Sequence, residues 1–207
     1  MINIHEQILD YLKQLHMPTI RGCYQQIADG ARSESLSYEQ YLLELLKIEC
    51  EARRQNRIAR NLRASKLPAS KTLDDFDKKR LPAKVAAHLN VLTDGSFISR
   101  CENVLAFGNP GSGKTHLLCA IGHELIEQGR RVLFICCSQL VQELLIAKRD
   151  LVMSKVLKKL SRYDAVIIND IGYVPDFPTE RKRNNDAMKK EFVSDEKLIR
   201  QKMITII

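Results

Sequence analysis

The chain has 207 residues, 44% of them hydrophobic, and a formal net charge of +8 from 33 Lys and Arg against 25 Asp and Glu. That is room for one sizeable core, or a core with a small extra domain, under a basic surface suited to a polyanionic partner. The six cysteines form no Cys-x-x-Cys pair and no His-Cys cluster of ligand spacing, so neither a zinc module nor a disulfide framework is expected; no apolar run approaches the roughly 18 residues of a membrane span, so the expectation is a soluble, cytoplasmic protein with no membrane partner.

Over residues 4 to 16, Ile4, Ile8, Leu12 and Leu15 recur at helical spacing, and Pro18 ends that segment. A short helix is predicted from Ile20 to Ala28. Ser37-x-x-Gln40 has the form of a capping box, opening a long helix whose apolar face is Tyr41, Leu42, Leu45, Leu46 and Ile48; Tyr38, Tyr41 and Leu45 are expected in the core. After Glu51 the same helix turns basic, through Arg63, and Lys66-Leu67-Pro68 stops it. The pattern predicts a helical N-terminal domain over 1–66 and a basic linker over 67–99, with a short helix near Pro82 to Leu92.

The basic stretch is locally concentrated. From Arg53 to Arg80 ten Lys and Arg stand against Asp74, Asp75 and Asp77, an excess of seven that makes up nearly all of the net charge. Arg53, Arg54, Arg57, Arg60 and Arg63 are the candidate DNA contacts, with a solvated helix face as the alternative. The absence of Trp and the few aromatics there favour phosphate contacts over base stacking.

From residue 100 the pattern is strand, loop, helix, strand, helix, strand, as a parallel α/β sheet demands. Asn103 to Phe107 is the first strand, and it leads into Gly108-Asn109-Pro110-Gly111-Ser112-Gly113-Lys114-Thr115. This is the phosphate-loop pattern Gly-x-x-x-x-Gly-Lys-[Ser/Thr]: glycines let successive backbone N–H groups face phosphate oxygens, Lys114 reaches the β- and γ-phosphates, and the Thr115 hydroxyl ligates Mg²⁺. A helix from Lys114 to Gln128 ends at Gly129, and Arg131 to Cys137 is a buried strand. Ser138 is expected to cap a helix through Ala147, and Leu151 to Leu160 reads as helical. Ala165 to Ile168 is the third strand, ending in Asn169-Asp170, 56 residues after Lys114. An acidic pair is usual there; Asn169 at the metal-side position brings no charge, so weak Mg²⁺ affinity and impaired hydrolysis are expected, with Asp170 left to orient water. His116 and His123 read as packing residues, although His116 adjoins the loop and completes the candidate nucleotide contacts. The core is placed at 100–175 and a divergent tail at 176–207, in which Met203 to Ile207 alone has strand character.

Taken together, these residues resemble the IstB-like transposition helper ATPases, AAA+ proteins related to the DnaC-like helicase loaders. The resemblance rests on the helical N-terminal segment, Arg53 to Arg60, Lys66-Leu67-Pro68, Phe107 to Leu117, and Asp170-Ile171-Gly172-Tyr173-Val174-Pro175, and extends to about residue 175. It implies a P-loop NTPase core of AAA+ type with a three-layer parallel sheet behind a small all-α domain. It also implies ATP with Mg²⁺ as cofactors, an ATP-dependent homo-oligomer on duplex DNA, and a partner transposase. A helicase loader and an inactive remnant are the alternatives. In the family a fourth strand lies between the phosphate-loop strand and the Asp170 strand; Met203 to Ile207 stands near its expected distance. With no further family pattern after Pro175, the expectation is a truncated or frame-shifted member.

Overall fold

A computed structural model of the chain describes residues 3–77, 81, 83–170 and 203–206. Lys78, Lys79 and Arg80 of the basic stretch, Ile171 to Pro175, and 176–202 of the expected tail lie outside the described residues. The chain divides into two compact units, Met1–Ala59 and Arg60–Ile207. Among the described residues no helix is long and apolar enough to cross a membrane.

The first unit comprises α1 (Ile4–Gln14), α2 (Pro18–Ser33) and most of α3 (Tyr38–Ser65). α2 is longer than expected, because Pro18 occupies its first turn, where a fixed φ and a missing N–H cost nothing. The predicted capping box opens α3: Gln40 N donates to Ser37 Oγ (3.2 Å) and Ser37 N to Gln40 Oε1 (2.9 Å). Leu45 is buried and Tyr41 half-buried, but Tyr38 is 91% exposed, since it is the first residue of the helix, beside the capping turn. α1 has no buried residue, and Ile4 and Leu15 of its apolar stripe are exposed.

What pins α2 to α3 is polar. Glu49, only 3% exposed, accepts from the Thr19 and Ile20 amides (3.0 and 3.2 Å) at the start of α2, an end that has no side-chain cap of its own, and from Arg53 Nε (2.8 Å). Arg53 also donates to the His16 carbonyl (2.7 Å). Burial alone would raise the Glu49 carboxyl, but the hydrogen bonds from Arg53, Ile20 and Thr19 outweigh it and hold the group below the ordinary glutamate value.

The second unit begins inside α3 rather than at Lys66-Leu67-Pro68. The last turns of that helix belong to it, because Asn61 Nδ2 donates to the carbonyls of Gly129 and Arg130 (3.4 and 3.2 Å). It continues through α4 (Ala83–Thr93), the single turn α5 (Ser96–Ser99), β1 (Val104–Ala106), α6 (Lys114–Glu127), β2 (Val132–Cys136), α7 (Cys137–Arg149), α8 (Met153–Leu160), β3 (Ala165–Asn169) and β4 (Met203–Ile206). α7 starts one residue before Ser138, so that serine lies inside the helix, and no side chain caps it.

All strand pairs are parallel, in the order β1-β4-β3-β2. β4 therefore occupies the fourth-strand position between the loop strand and the Asp170 strand, with Ile204 in register with both Val104 and Ile167. Strand alternation divides the core into two faces. Leu133, Ile135, Val166 and Ile168 point one way, against Cys137 and Leu140 of α7, Leu160 of α8 and Tyr163. Ile167 points the other way, onto α6, where a Cβ on Gly122 would come within 2.9 Å of Ile167 Cδ1; the missing side chain lets helix and sheet approach.

The expected linker is not a free tether. Leu67 packs at Gly122, His123 Nε2 bonds the Pro68 carbonyl (3.1 Å) and His116 Nε2 the Thr72 carbonyl (3.0 Å). Two histidines seven residues apart lie on one face of α6, and the extended strap runs back along that face.

Candidate nucleotide-binding site

The site grows from the packing just described. Gly122 meets Ile167; two turns earlier on α6 is Thr115, and two residues further along β3, on the same face, is Asn169. The two side chains meet, Thr115 Oγ1 donating to Asn169 Oδ1 at 2.9 Å. Asn169 Nδ2 in turn donates to Asp170 Oδ2 (2.5 Å). The chain leaves β3 through a left-handed Asp170 (φ +59°), a conformation Asp tolerates better than most residues.

The loop between β1 and α6 has its glycines where the backbone needs them: Gly111 (φ +78°) and Gly113 (φ +88°) are both left-handed. Gly113 is the N-cap of α6 and no side chain caps the helix, so its first amides have no acceptor within the helix and face outward with the positive end of the helix dipole. Lys114 Nζ crosses the loop to the carbonyls of Gly108 (2.5 Å) and Asn109 (3.0 Å), and Ser112 N bonds the Asn109 carbonyl (3.2 Å). The predicted residues Gly108, Asn109, Pro110, Gly111, Ser112, Gly113, Lys114 and Thr115 thus form one continuous loop at the uncapped start of α6. The ring of His116 turns away, held by Thr72 and set edge-on to Phe76 with centroids 5.1 Å apart.

Thr115, Asn169 and Asp170 offer a hydroxyl, an amide oxygen and a carboxylate. These are hard oxygen donors that fit Mg²⁺, an ion that keeps several waters and leans on substrate phosphates. They bring one formal charge. Among the described residues no group of three or more His, Cys, Asp or Glu could hold a metal by itself, so the phosphates would have to supply most of the ligand charge.

Two neighbours of the site were not anticipated. Cys136 pairs in register with Asn169 at the end of the adjacent strand, and its thiol donates to Asp170 Oδ2 (3.8 Å). Phe76 lies with ring carbons 3.4 and 3.8 Å from where a Gly113 Cβ would be. Only strand pairing reveals the first, and the strap's path the second.

A family described as IstB-like ATP binding protein matches residues 10–199. The chain belongs to that family. The match runs on past residue 175, to which the sequence pattern was traced. Relatives include an insertion-sequence ATP-binding protein of Sinorhizobium fredii (36% identical, covering 84% of this chain and 60% of the relative). Others are those of IS5376 from Geobacillus stearothermophilus (34%; 82% and 67%) and IS21 from Pseudomonas aeruginosa (32%; 79% and 62%). The chain therefore spans about three-fifths to two-thirds of these relatives' length. Among solved structures, AMPPCP-bound DnaA from Aquifex aeolicus superposes with a TM-score of 0.52 at 18% identity, over 69% of this chain and 43% of that one. Domain III of DnaA from Thermotoga maritima gives 0.50 at 19%, over 69% and 57%. The fold is that of the AAA+ P-loop ATPases.

The five candidate DNA residues are not equivalent. Arg53 is tied to Glu49 and His16, and Arg54 pairs with Glu51 (3.3 Å). Arg57, Arg60 and Arg63 are exposed and take part in no ion pair among the described residues.

Proposed function

We propose that the chain is an ATP-binding helper of DNA transposition, which binds ATP with Mg²⁺ at the glycine loop, assembles as a homo-oligomer on duplex DNA and there assists a partner transposase in the cytoplasm. The observation that carries the reading is the continuous Thr115–Asn169–Asp170 hydrogen-bond chain beside the uncapped start of α6. It joins the group that would ligate the metal to the group that would orient water, across two elements that only the folded sheet brings together.

Within this reading Lys114 leaves the Gly108 and Asn109 carbonyls for the β- and γ-phosphates, exchanging two neutral acceptors for charged ones. Thr115 holds Mg²⁺, Asn169 supports it through oxygen, and Asp170 positions the attacking water. Arg57, Arg60 and Arg63 contact DNA phosphates. The relatives' names, all ATP-binding proteins of insertion sequences, support the setting in mobile DNA.

The test counts protein copies on a duplex by mass photometry, with ATP and Mg²⁺, without nucleotide, and with Lys114→Ala. Several copies loaded only with nucleotide, and lost in the variant, are expected. Loading that ignores both nucleotide and variant would refute the reading. Capture of a replicative helicase instead of a transposase by the loaded protein would redirect it to a helicase loader.

A further inference from the structure

The phosphate loop and Asp170 lie at the carboxyl ends of their strands. At the opposite ends of β2 and β3, one five-residue strand or about 16 Å away, is a pocket of about 320 Å³ lined by Arg60 and Asn61 of α3, Arg131, Lys159, Arg162 and Tyr163. Arg131 immediately precedes β2 and Tyr163 closely precedes β3, so the sheet itself fixes their spacing. Asn61 fastens α3 to the Gly129–Arg130 turn, and Tyr163 packs on the core of Leu133, Ile135, Val166 and Ile168. Four cations therefore surround a rigid floor.

Among the described residues none of Arg60, Arg131, Lys159 and Arg162 takes part in an ion pair, and all four are exposed. The adjacent acid, Asp164, is engaged by the backbone, its carboxylate accepting from the Arg131 amide (2.8 Å). The surrounding segment adds to the field: from Lys148 to Arg162 there are six cations (Lys148, Arg149, Lys155, Lys158, Lys159 and Arg162) against Asp150 alone, and Asp150 is paired with Arg149 (2.9 Å). α8 directs Leu160 into the core and leaves Lys155, Lys158 and Lys159 exposed.

We propose that this pocket is a second anion site, which takes the phosphodiester backbone of duplex DNA at the end of the sheet remote from the nucleotide. The physics favours a polyanion over a free ion. Exposed cations gain little from one hydrated phosphate, whereas several cations on one polymer release its condensed counterions together. Three of the four groups are arginines, whose planar forks suit phosphate oxygens. Because the sites lie at opposite strand ends, nucleotide and DNA are held at once without competing for the same groups. The inference shares with the proposed function the premise that duplex DNA is the partner, and adds the place.

The experiment is a fluorescence-anisotropy titration of a labelled duplex with the full chain and with a Lys159→Ala/Arg162→Ala double variant across a salt series. Binding of a fluorescent ATP analogue serves as the check that the variant is folded. Loss of two phosphate contacts is expected to weaken DNA binding about tenfold and to reduce the log-log salt slope by about 2, with nucleotide binding unchanged. If the unaltered chain binds duplex and the variant matches it in affinity and slope, the pocket is excluded and the DNA reading stands. If the unaltered chain binds no duplex at any salt, both fall together. A variant that loses nucleotide binding is replaced by Lys155→Ala/Lys158→Ala, for which a slope reduced by about 1 or more supports the basic surface around the pocket and an unchanged slope contradicts it.

Discussion

Arg53 and Arg60 stand two turns apart on one helix and do opposite work. Arg53 is bound to a buried carboxylate and a carbonyl, holding the helical unit together; Arg60 lines a pocket and takes part in no ion pair among the described residues. The same contrast separates the two units. The helical unit closes its polar groups on one another, with Glu49 serving α2 and Arg53 at once. The α/β unit buries its apolar residues between sheet and helices and gathers polar groups at both strand ends. A basic helix is thus no binding surface until each cation's partner has been accounted for.

The contrast breaks first at Glu49. Glu49→Ala orphans two α2 amides and the Arg53 guanidinium. Arg53 is about half exposed, so most of the loss comes from the amides, and the helical unit should be destabilised by about 3 kcal/mol. Paired denaturation curves of wild type and variant, read by a probe in each unit, would check this; equal midpoints in the helical unit would contradict it. The pH dependence has a definite sign. Because the folded Glu49 sits below its ordinary value of 4.5, its contribution is complete above that pH and is lost as pH falls through the folded value. The difference between wild type and variant should therefore shrink below about pH 4.5.

A smaller effect is expected at the other unit's open end. Asn169→Asp supplies a charge at the metal-side position and should lower the Mg²⁺ concentration needed for half-maximal nucleotide binding about tenfold, or about 1.4 kcal/mol, with faster turnover. A Mg²⁺ titration that superposes on the wild type would show that Asn169 does not act through the metal.

Much of this was legible in the residues, for local reasons. The capping box, the loop from Gly108 to Thr115 and the apolar strand ending at Asn169 depend on short-range chemistry, and each stands where its pattern put it. Tyr38 failed because helical spacing says which residues share a face but not whether anything covers it. The role of Arg53 was hidden because its partners, Glu49 and His16, are fixed by helix packing. Cys136 beside Asp170 follows from the parallel pairing of β2 with β3, Phe76 beside Gly113 from the strap's path, and the pocket between Arg60 and Arg162 from the end of α3 lying at the sheet's edge; each joins distant segments, for which a linear pattern carries no signal. The cations of α8, Lys155, Lys158 and Lys159, alternate with the apolar residues of a short amphipathic helix, a pattern that by itself marks only a solvated face.

The central claim is that the glycine loop holds a nucleotide through Lys114. An equilibrium titration of the purified chain with a fluorescent ATP analogue and Mg²⁺, beside Lys114→Ala, tests it most directly. Saturable binding, weakened about 100-fold or more in a variant with an unchanged melting transition, is the predicted result. Identical curves for the two proteins would contradict it.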